Sequence, residues 1–336
     1  MNEWHSQCGR IWRGMENPKS GRSCGFTLVE VLVASLVLIL LLMVLFSTVS
    51  QTSLITRRAT EKISSFQGAR FAFETVTRTL SQATLNSYWD YDDPNSPVRY
   101  LRTSQLHFLV GKSGTAPFPG TPGTGEAVFF QAPGGVVGDP SLHGGMEGLL
   151  NACGYYVKYD SESVPTVFQG TVAPKCRYRL MQTIQPTESL AVYKEVPDST
   201  WVGSVGAMPL ADNIIYLVVW PRKSATDDPS GQPLTEDFSY DSRAGAKTSP
   251  QPQTANQLPP LVQITMIAID ESSAARLCTT STPPSEISGA GDGLFSKSNQ
   301  TDFARDLPAF ESHLSEKGVK YQVFTALVPF RESKME

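Results

Sequence analysis

Apolar residues are concentrated in one block near the amino terminus and scattered in short runs after it. Val31 to Phe46 reads VLVASLVLILLLMVLF, broken only by Ser35, and Phe26, Leu28 and Val29 extend the block to residues 26–46 with one carboxylate, Glu30. At ~1.5 Å per residue a helix over this stretch is ~31 Å long, the thickness of a ~30 Å hydrocarbon core. The pattern predicts a membrane-spanning helix. Beyond it, apolar residues recur at Ile55, Ala59, Ile63, Phe66, Phe73, Val76, Leu80 and Ala83, in steps of three, four and seven, while Arg57, Arg58, Glu61, Gln67, Arg70 and Arg78 occupy the other side. That is a one-sided helical stripe. It predicts an amphipathic extension over 47–86 that lies against a globular head.

From residue 87 onward the period changes. Short β-like runs at Gln105–Val110, Ala127–Gln131, Tyr155–Tyr159, Tyr178–Ile184, Ile214–Trp220, Val262–Ile269 and Val319–Val328 alternate with turn-rich spacers. Ile214–Trp220 (IIYLVVW) has no polar break, as in a strand covered on both faces, whereas Cys176–Leu180 alternates apolar with basic, as in a half-buried antiparallel strand. The 24 Pro and 26 Gly gather in spacers such as 111–125, 223–260 and 279–300, which predicts long surface loops. Asp90–Pro97 (DYDDPNSP) reads as a turn and cap cluster; the glycine and glutamate that a calcium loop starting at Asp90 needs are replaced by Asn95 and Leu101. The predicted class is α+β: a long N-terminal α-helix, membrane-spanning in its first half, on an antiparallel β-sheet head (87–336).

Glu30 stands out, because a carboxylate deep in lipid costs roughly 2.5–3.5 kcal/mol and is usually functional or paired. Lying near the membrane surface, it could also reach water and do nothing. Ahead of it come a polar stretch with Arg10, Arg13, Lys19 and Arg22 against Glu3 and Glu16, and then Gly25-Phe26-Thr27-Leu28-Val29-Glu30. This order resembles the N-terminal signal of type IV pilins and pseudopilins. The resemblance implies a leader, 1–25, removed after Gly25 by a prepilin peptidase, a new N-methylated terminus at Phe26, and an apolar helix retained after cleavage. It also implies an assembly role for Glu30, pairing with the terminal amine of a neighbouring subunit. Two other routes compete: secretory cleavage near Thr48-Val49-Ser50, leaving a start at Gln51, although the apolar core exceeds the ~7–15 residues typical of such signals, and an unprocessed signal anchor starting at Met1. Basic residues flank the span on both sides, so charge fixes orientation poorly; the resemblance places the leader in the cytoplasm and the head across a bacterial inner membrane.

Composition and motifs narrow the chemistry. With 28 Lys plus Arg against 32 Asp plus Glu, a net of −4, the chain lacks the basic balance of a nucleic-acid binder. His5, His107, His143 and His313 have no zinc-ligand companion at short spacing. Gly111-Lys112-Ser113 lacks the glycine a phosphate loop needs five residues earlier and reads as a turn, and no Gly-x-Ser-x-Gly elbow occurs. No cofactor or metal is expected, and no pair of acids is singled out for glycoside hydrolysis.

Further segments, Asn151–Val157, Arg177–Gln182, Leu217–Pro221, Leu258–Val262, Ala268–Glu271 and Val328–Arg331, resemble the Verru_Chthon cassette protein C family, a pilin-like group, and the start resembles J-type minor pseudopilins of type II secretion and W-type minor pilins. The resemblance implies a non-enzymatic minor subunit whose partners are prepilin peptidase, other pilin or pseudopilin subunits and inner-membrane lipid. A pilin-like surface-binding module or adhesin, and a membrane-anchored extracytoplasmic enzyme, are the alternatives. By the same resemblance Cys8 and Cys24 leave with the leader, and Cys153, Cys176 and Cys278 remain. If 153–159 and 176–184 form a simple hairpin, Cys176 faces Tyr159 and Cys153 faces about Gln182, roughly 20 Å apart at ~3.3 Å per residue. Free buried thiols are then expected over a bridge.

Overall fold

The computed structural model describes residues 27–146, 148–161, 174–193, 200–204, 206–224, 233–291, 293–333 and 335. Gly25 and Phe26 lie outside them, and Gln51 is helical. The fold is α+β, one N-terminal apolar helix followed by antiparallel sheets. In chain order the elements are α1 (Leu28–Leu80), β1 (Tyr88–Tyr91), β2 (Tyr100–Thr103), β3 (Leu109–Lys112), β4 (Glu126–Pro133), α2 (Pro140–His143), β5 (Leu150–Ser161), β6 (Cys176–Gln185), β7 (Ala207–Asp212), β8 (Ile214–Arg222), β9 (Tyr240–Asp241), β10 (Leu261–Ile269), α3 (Glu271–Leu277), α4 (Ser285–Ser288), α5 (Gln300–Glu316) and β11 (Tyr321–Pro329). The chain divides into two compact units, Met1–Arg57 and Arg58–Glu336.

In the second unit, six strands form one sheet in the order β7-β6-β5-β4-β3-β9, three form another in the order β11-β10-β8, and β1 with β2 makes a separate ribbon. Strand β8 lies against β4, β5 and β6. Covered by its own sheet's neighbour and by the larger sheet, it is buried from Ile214 through Pro221, as its unbroken apolar run predicts. Tyr155, Tyr178, Phe129, Phe130, Leu180 and Ile215 fill the interior.

Two features bind the sheets together. Asn213, between β7 and β8, has φ +64°, the left-handed conformation that Asn tolerates better than most residues. Its N–H donates to the Tyr178 carbonyl in the larger sheet (2.7 Å) and its own carbonyl accepts from Ile269 N–H in the smaller (2.9 Å). The second feature is a parallel bridge between Gly125 and Leu217. Gly125 has φ +93°, and a Cβ there would sit 1.9 Å from the Leu217 carbonyl oxygen, so only glycine fits.

The stripe of α1 is buried where it belongs to this unit: Ala69, Ala72, Val76, Leu80 and Ala83 are covered, Phe73 rests on Phe324 of β11 with ring centres 5.7 Å apart, and the Tyr155 hydroxyl of β5 meets Thr79. Each fully buried Val or Leu contributes roughly 1.5–3 kcal/mol. Ile55 is exposed, and the side chains of Ala59 and Ile63 lie outside the described set. The helix stops at Leu80, not at the expected residue 86. Thr84 gives its N–H to the Gln131 carbonyl at β4 (2.9 Å), and Asn86 Oδ1 accepts the N–H groups of Gln105 and Leu106, so the backbone after Leu80 serves the sheet instead.

Candidate functional site

The candidate site begins at the first turn of α1. Thr27 Oγ1 accepts the N–H of Glu30 (3.3 Å) and the Thr27 carbonyl accepts that of Val31 (3.2 Å), so Thr27 caps the helix and Glu30 occupies its third position. Thr-x-x-Glu is the spacing of a capping box, and an acid in the first turn also meets the positive end of the helix dipole. Glu30 is exposed, with a local structural use that sequence reading had not assigned to it. Behind it, Leu28–Ser53 is 26 residues with mean hydropathy 3.1, long and apolar enough to cross a membrane. Leu36, Val37, Ile39 and Leu40 are among its exposed side chains, so the apolar surface runs around the whole helix.

Within the globular unit, the buried side chains of His107, Glu126 and Arg177 each find polar partners inside the fold. His107 Nε2 lies 2.7 Å from Asp241 Oδ1, and Trp201 Nε1 donates to His107 Nδ1 (3.1 Å). Indole N–H can only donate, so Nδ1 is the acceptor and Nε2 carries the proton given to Asp241. Burial lowers the His107 pKa, against the opposing pull of Asp241. Both ring nitrogens are occupied, which makes this a tie between β9 and the segment holding Trp201. Its two partners are distant in sequence, which is why the histidine looked isolated.

Glu126, the first residue of β4, is buried; its Oε2 accepts the N–H of Val219 in β8 (3.2 Å). Burial pushes its carboxyl up to about 8, with the Val219 hydrogen bond and the Lys112 charge opposing. The protonated acid is therefore the form that links the sheets at neutral pH.

Arg177 of β6 is buried, although the alternation Cys-Arg-Tyr-Arg-Leu placed it on a solvent face. Glu271 at the start of α3 clasps it through both carboxylate oxygens, and Asn213 joins them, accepting from Arg177 (3.1 Å) and donating to Glu271 (2.9 Å). The partner needed to bury the base comes from an element 94 residues away.

Several smaller expectations change. Gly111 and Lys112 end strand β3 instead of forming a turn, and the Phe118 ring covers Gly111. The β5–β6 hairpin pairs Cys153 with Ile184, Tyr159 with Tyr178 and Ser161 with Cys176, two positions off the expected register, because the strands run further to their turn. Cys153, Cys176 and Cys278 are buried and unbridged. The Asp90–Pro97 cluster does make a turn: Asp92 Oδ1 accepts the N–H groups of Val98 and Arg99 and closes the β1–β2 ribbon. That ribbon, absent from the expected strands, exposes Trp89, Tyr91 and Tyr100, the last two stacked with centres 4.9 Å apart. Among the described residues no three His, Cys, Asp or Glu side chains are grouped to hold a metal.

No family model, no curated protein and no solved structure matches the chain.

Proposed function

We propose that this protein is a minor pseudopilin-like structural subunit of a type II secretion or type IV pilus-like assembly. Cleavage after Gly25 by prepilin peptidase frees Phe26, which becomes N-methylated, and the helix from Leu28 holds the chain in a bacterial inner membrane with the head on the extracytoplasmic side. The observation that carries the reading is the order of residues: Gly25, Phe26, the capping Thr27 and the first-turn Glu30, directly ahead of an apolar helix of spanning length. Retention of that helix lets it exchange lipid for the helices of neighbouring subunits.

In the assembly Glu30 pairs with the amine of Phe26 on an adjoining subunit. Both charges lose hydration when they meet in an apolar setting, so the pair acts as a register key more than as a source of raw stability. The Pilin-like resemblance to Verru_Chthon cassette protein C and to J-type minor pseudopilins supports the same reading. The bulk of the head, from residue 87 onward, favours a tip or initiating position over repetition along a fibre.

Amino-terminal sequencing of the protein from native membranes tests the proposal directly. A start at methylated Phe26 supports it; a start at Gln51 or an intact Met1 overturns it. A second reading, a surface-binding module delivered by the same signal, is favoured by one feature: the exposed Trp89, Tyr91 and Tyr100 of the ribbon, since large aromatic side chains in water are common at recognition surfaces. Binding of the purified protein to a glycan array, abolished by Trp89→Ala, would select it.

A further inference from the structure

Cys176 opens β6 and Cys278 follows the last turn of α3, and 102 residues of chain separate them. The fold nonetheless brings them to one place. The Tyr159 side chain of β5 lies beside both cysteines, and Cys278 also lies beside Tyr178, two residues beyond Cys176 on the same strand. The surroundings hold this juxtaposition firmly. The Tyr159 hydroxyl donates to the Thr280 carbonyl just past Cys278 (2.6 Å), its ring lies 4.7 Å from that of Tyr178, and the Arg177–Glu271 clasp ties the residue after Cys176 to the start of α3. Both thiols are buried. Cys153 stands apart: it faces Ile184 while Cys176 faces Ser161, eight positions along the hairpin, or about 26 Å at ~3.3 Å per residue.

We propose that Cys176 and Cys278 are oxidised to a disulfide that staples the start of β6 to the end of α3, while Cys153 remains a thiol. The inference rests on the proposed extracytoplasmic position of the head for its oxidant, a disulfide-bearing reagent such as a thiol–disulfide oxidoreductase or oxidised glutathione. One thiolate attacks the oxidant's disulfide and releases one thiol; the second thiolate attacks the resulting mixed disulfide and releases the other. The two cysteines lose two protons and two electrons, and the oxidant is reduced to two thiols. Because burial closes over both sulfurs, the bond forms while the domain folds and is afterwards shielded from reductant. Closing a loop of this length restricts the unfolded chain strongly.

The test maps cysteine connectivity in the full chain by alkylation and peptide mass analysis without reduction. In the first arm, the reduced chain in detergent is unfolded in urea and refolded with a glutathione couple. A Cys176–Cys278 cross-linked peptide, with Cys153 alkylated, is expected, together with a melting temperature roughly 5–15 °C above that of the reduced chain. Cys153→Ser leaves both readouts unchanged, and Cys278→Ser removes the cross-link. Recovery of refolded chain with Cys176 and Cys278 both alkylated, or bridged to Cys153 instead, overturns the pairing. In the second arm, native membranes are quenched in acid and alkylated. The cross-link is expected there too. A chain that forms it in the first arm but is fully reduced in native membranes overturns the extracytoplasmic reading and the native bond with it, while leaving the juxtaposition of the two thiols intact.

Discussion

Replacing Glu126 with Gln should alter how stability depends on pH. The carboxyl is fully enclosed between β4 and β8, and burial raises it from an ordinary 4.5 to about 8. Below pH 4.5 folded and unfolded chains both carry the proton, and the group contributes its full share of stability. As pH rises, the unfolded chain gives up its proton while the folded one retains it, so stability falls until the folded carboxyl itself ionises near pH 8. At pH 7 the retained proton spans about 2.5 pH units, each worth ~1.36 kcal/mol, so Glu126 costs the fold about 3 kcal/mol relative to acid conditions. Gln has the same shape and can still accept the Val219 N–H, but it has no proton to hold. Urea unfolding of the full chain in detergent at pH 5, 6, 7 and 8 measures the effect. The wild type should lose about 2–3 kcal/mol between pH 5 and 7, and Glu126→Gln should lose that much less over the same interval. Parallel pH profiles for the two proteins would show that the carboxyl is hydrated or already ionised in the fold, contrary to its burial.

Other perturbations probe the remaining features. Asn213→Ala removes the short polar side chain that eases the left-handed conformation and strips Arg177 and Glu271 of their shared partner, so it should destabilise by about 2–3 kcal/mol, whereas Asn213→Gly, which loses the partner but keeps the backbone at ease, should cost only ~1 kcal/mol; denaturant midpoints compare them. Gly125→Ala drives a methyl into the Leu217 carbonyl and should cost about 3 kcal/mol or more, read as a fall in melting temperature or loss of soluble folded protein from detergent extracts. Glu30→Leu should leave processing at Gly25 intact yet abolish co-purification with the assembly, while Glu30→Gln, similar in size but uncharged, should fail in the same assay; normal recruitment of both would defeat the register-key role. Gly25→Val should stop cleavage, visible as an unprocessed band on gels.

Periodicity located most of this fold. The apolar block, the stripe that becomes buried at Val76 and Leu80, and the seven β-like runs were legible because each carries either a local period of 3.6 or 2 or an unbroken apolar run. Gln105–Val110 was the loosest match: only Leu109 onward is strand, since the N–H groups of His107 and Phe108 are taken by the side chains of Gln131 and Ser242. Helix α5 was missed, although Phe303, Leu307, Phe310 and Leu314 repeat in steps of four, three and four and Asn299 caps it (2.8 Å to Asp302 N–H), because Pro308 sits inside the pattern and argues locally against a helix. Strand β7 reads AMPLAD, with Pro209 in it, and is tolerable only as the edge that it occupies. The polar clusters were illegible for a different reason: Arg177 with Glu271, His107 with Asp241 and Glu126 with Val219 meet only through tertiary contacts, and no local spacing encodes them. Of the candidate site, Glu30 was visible as an anomaly in composition, whereas its partnership with Thr27 depends on where the helix starts.

The contact between the segment just after α1 and the far end of the chain sets a timetable for biogenesis. Thr84 and Leu85, just past the helix, are latched by Glu332, and 248 residues of translation separate Thr84 from that glutamate. At ~5–20 residues per second the ribosome needs roughly 12–50 s to deliver the latch. Through most of that interval Phe73 of the helix has been synthesised while its partner Phe324 on β11 has not. Transiently exposed apolar surface of this kind favours aggregation of an unfinished chain.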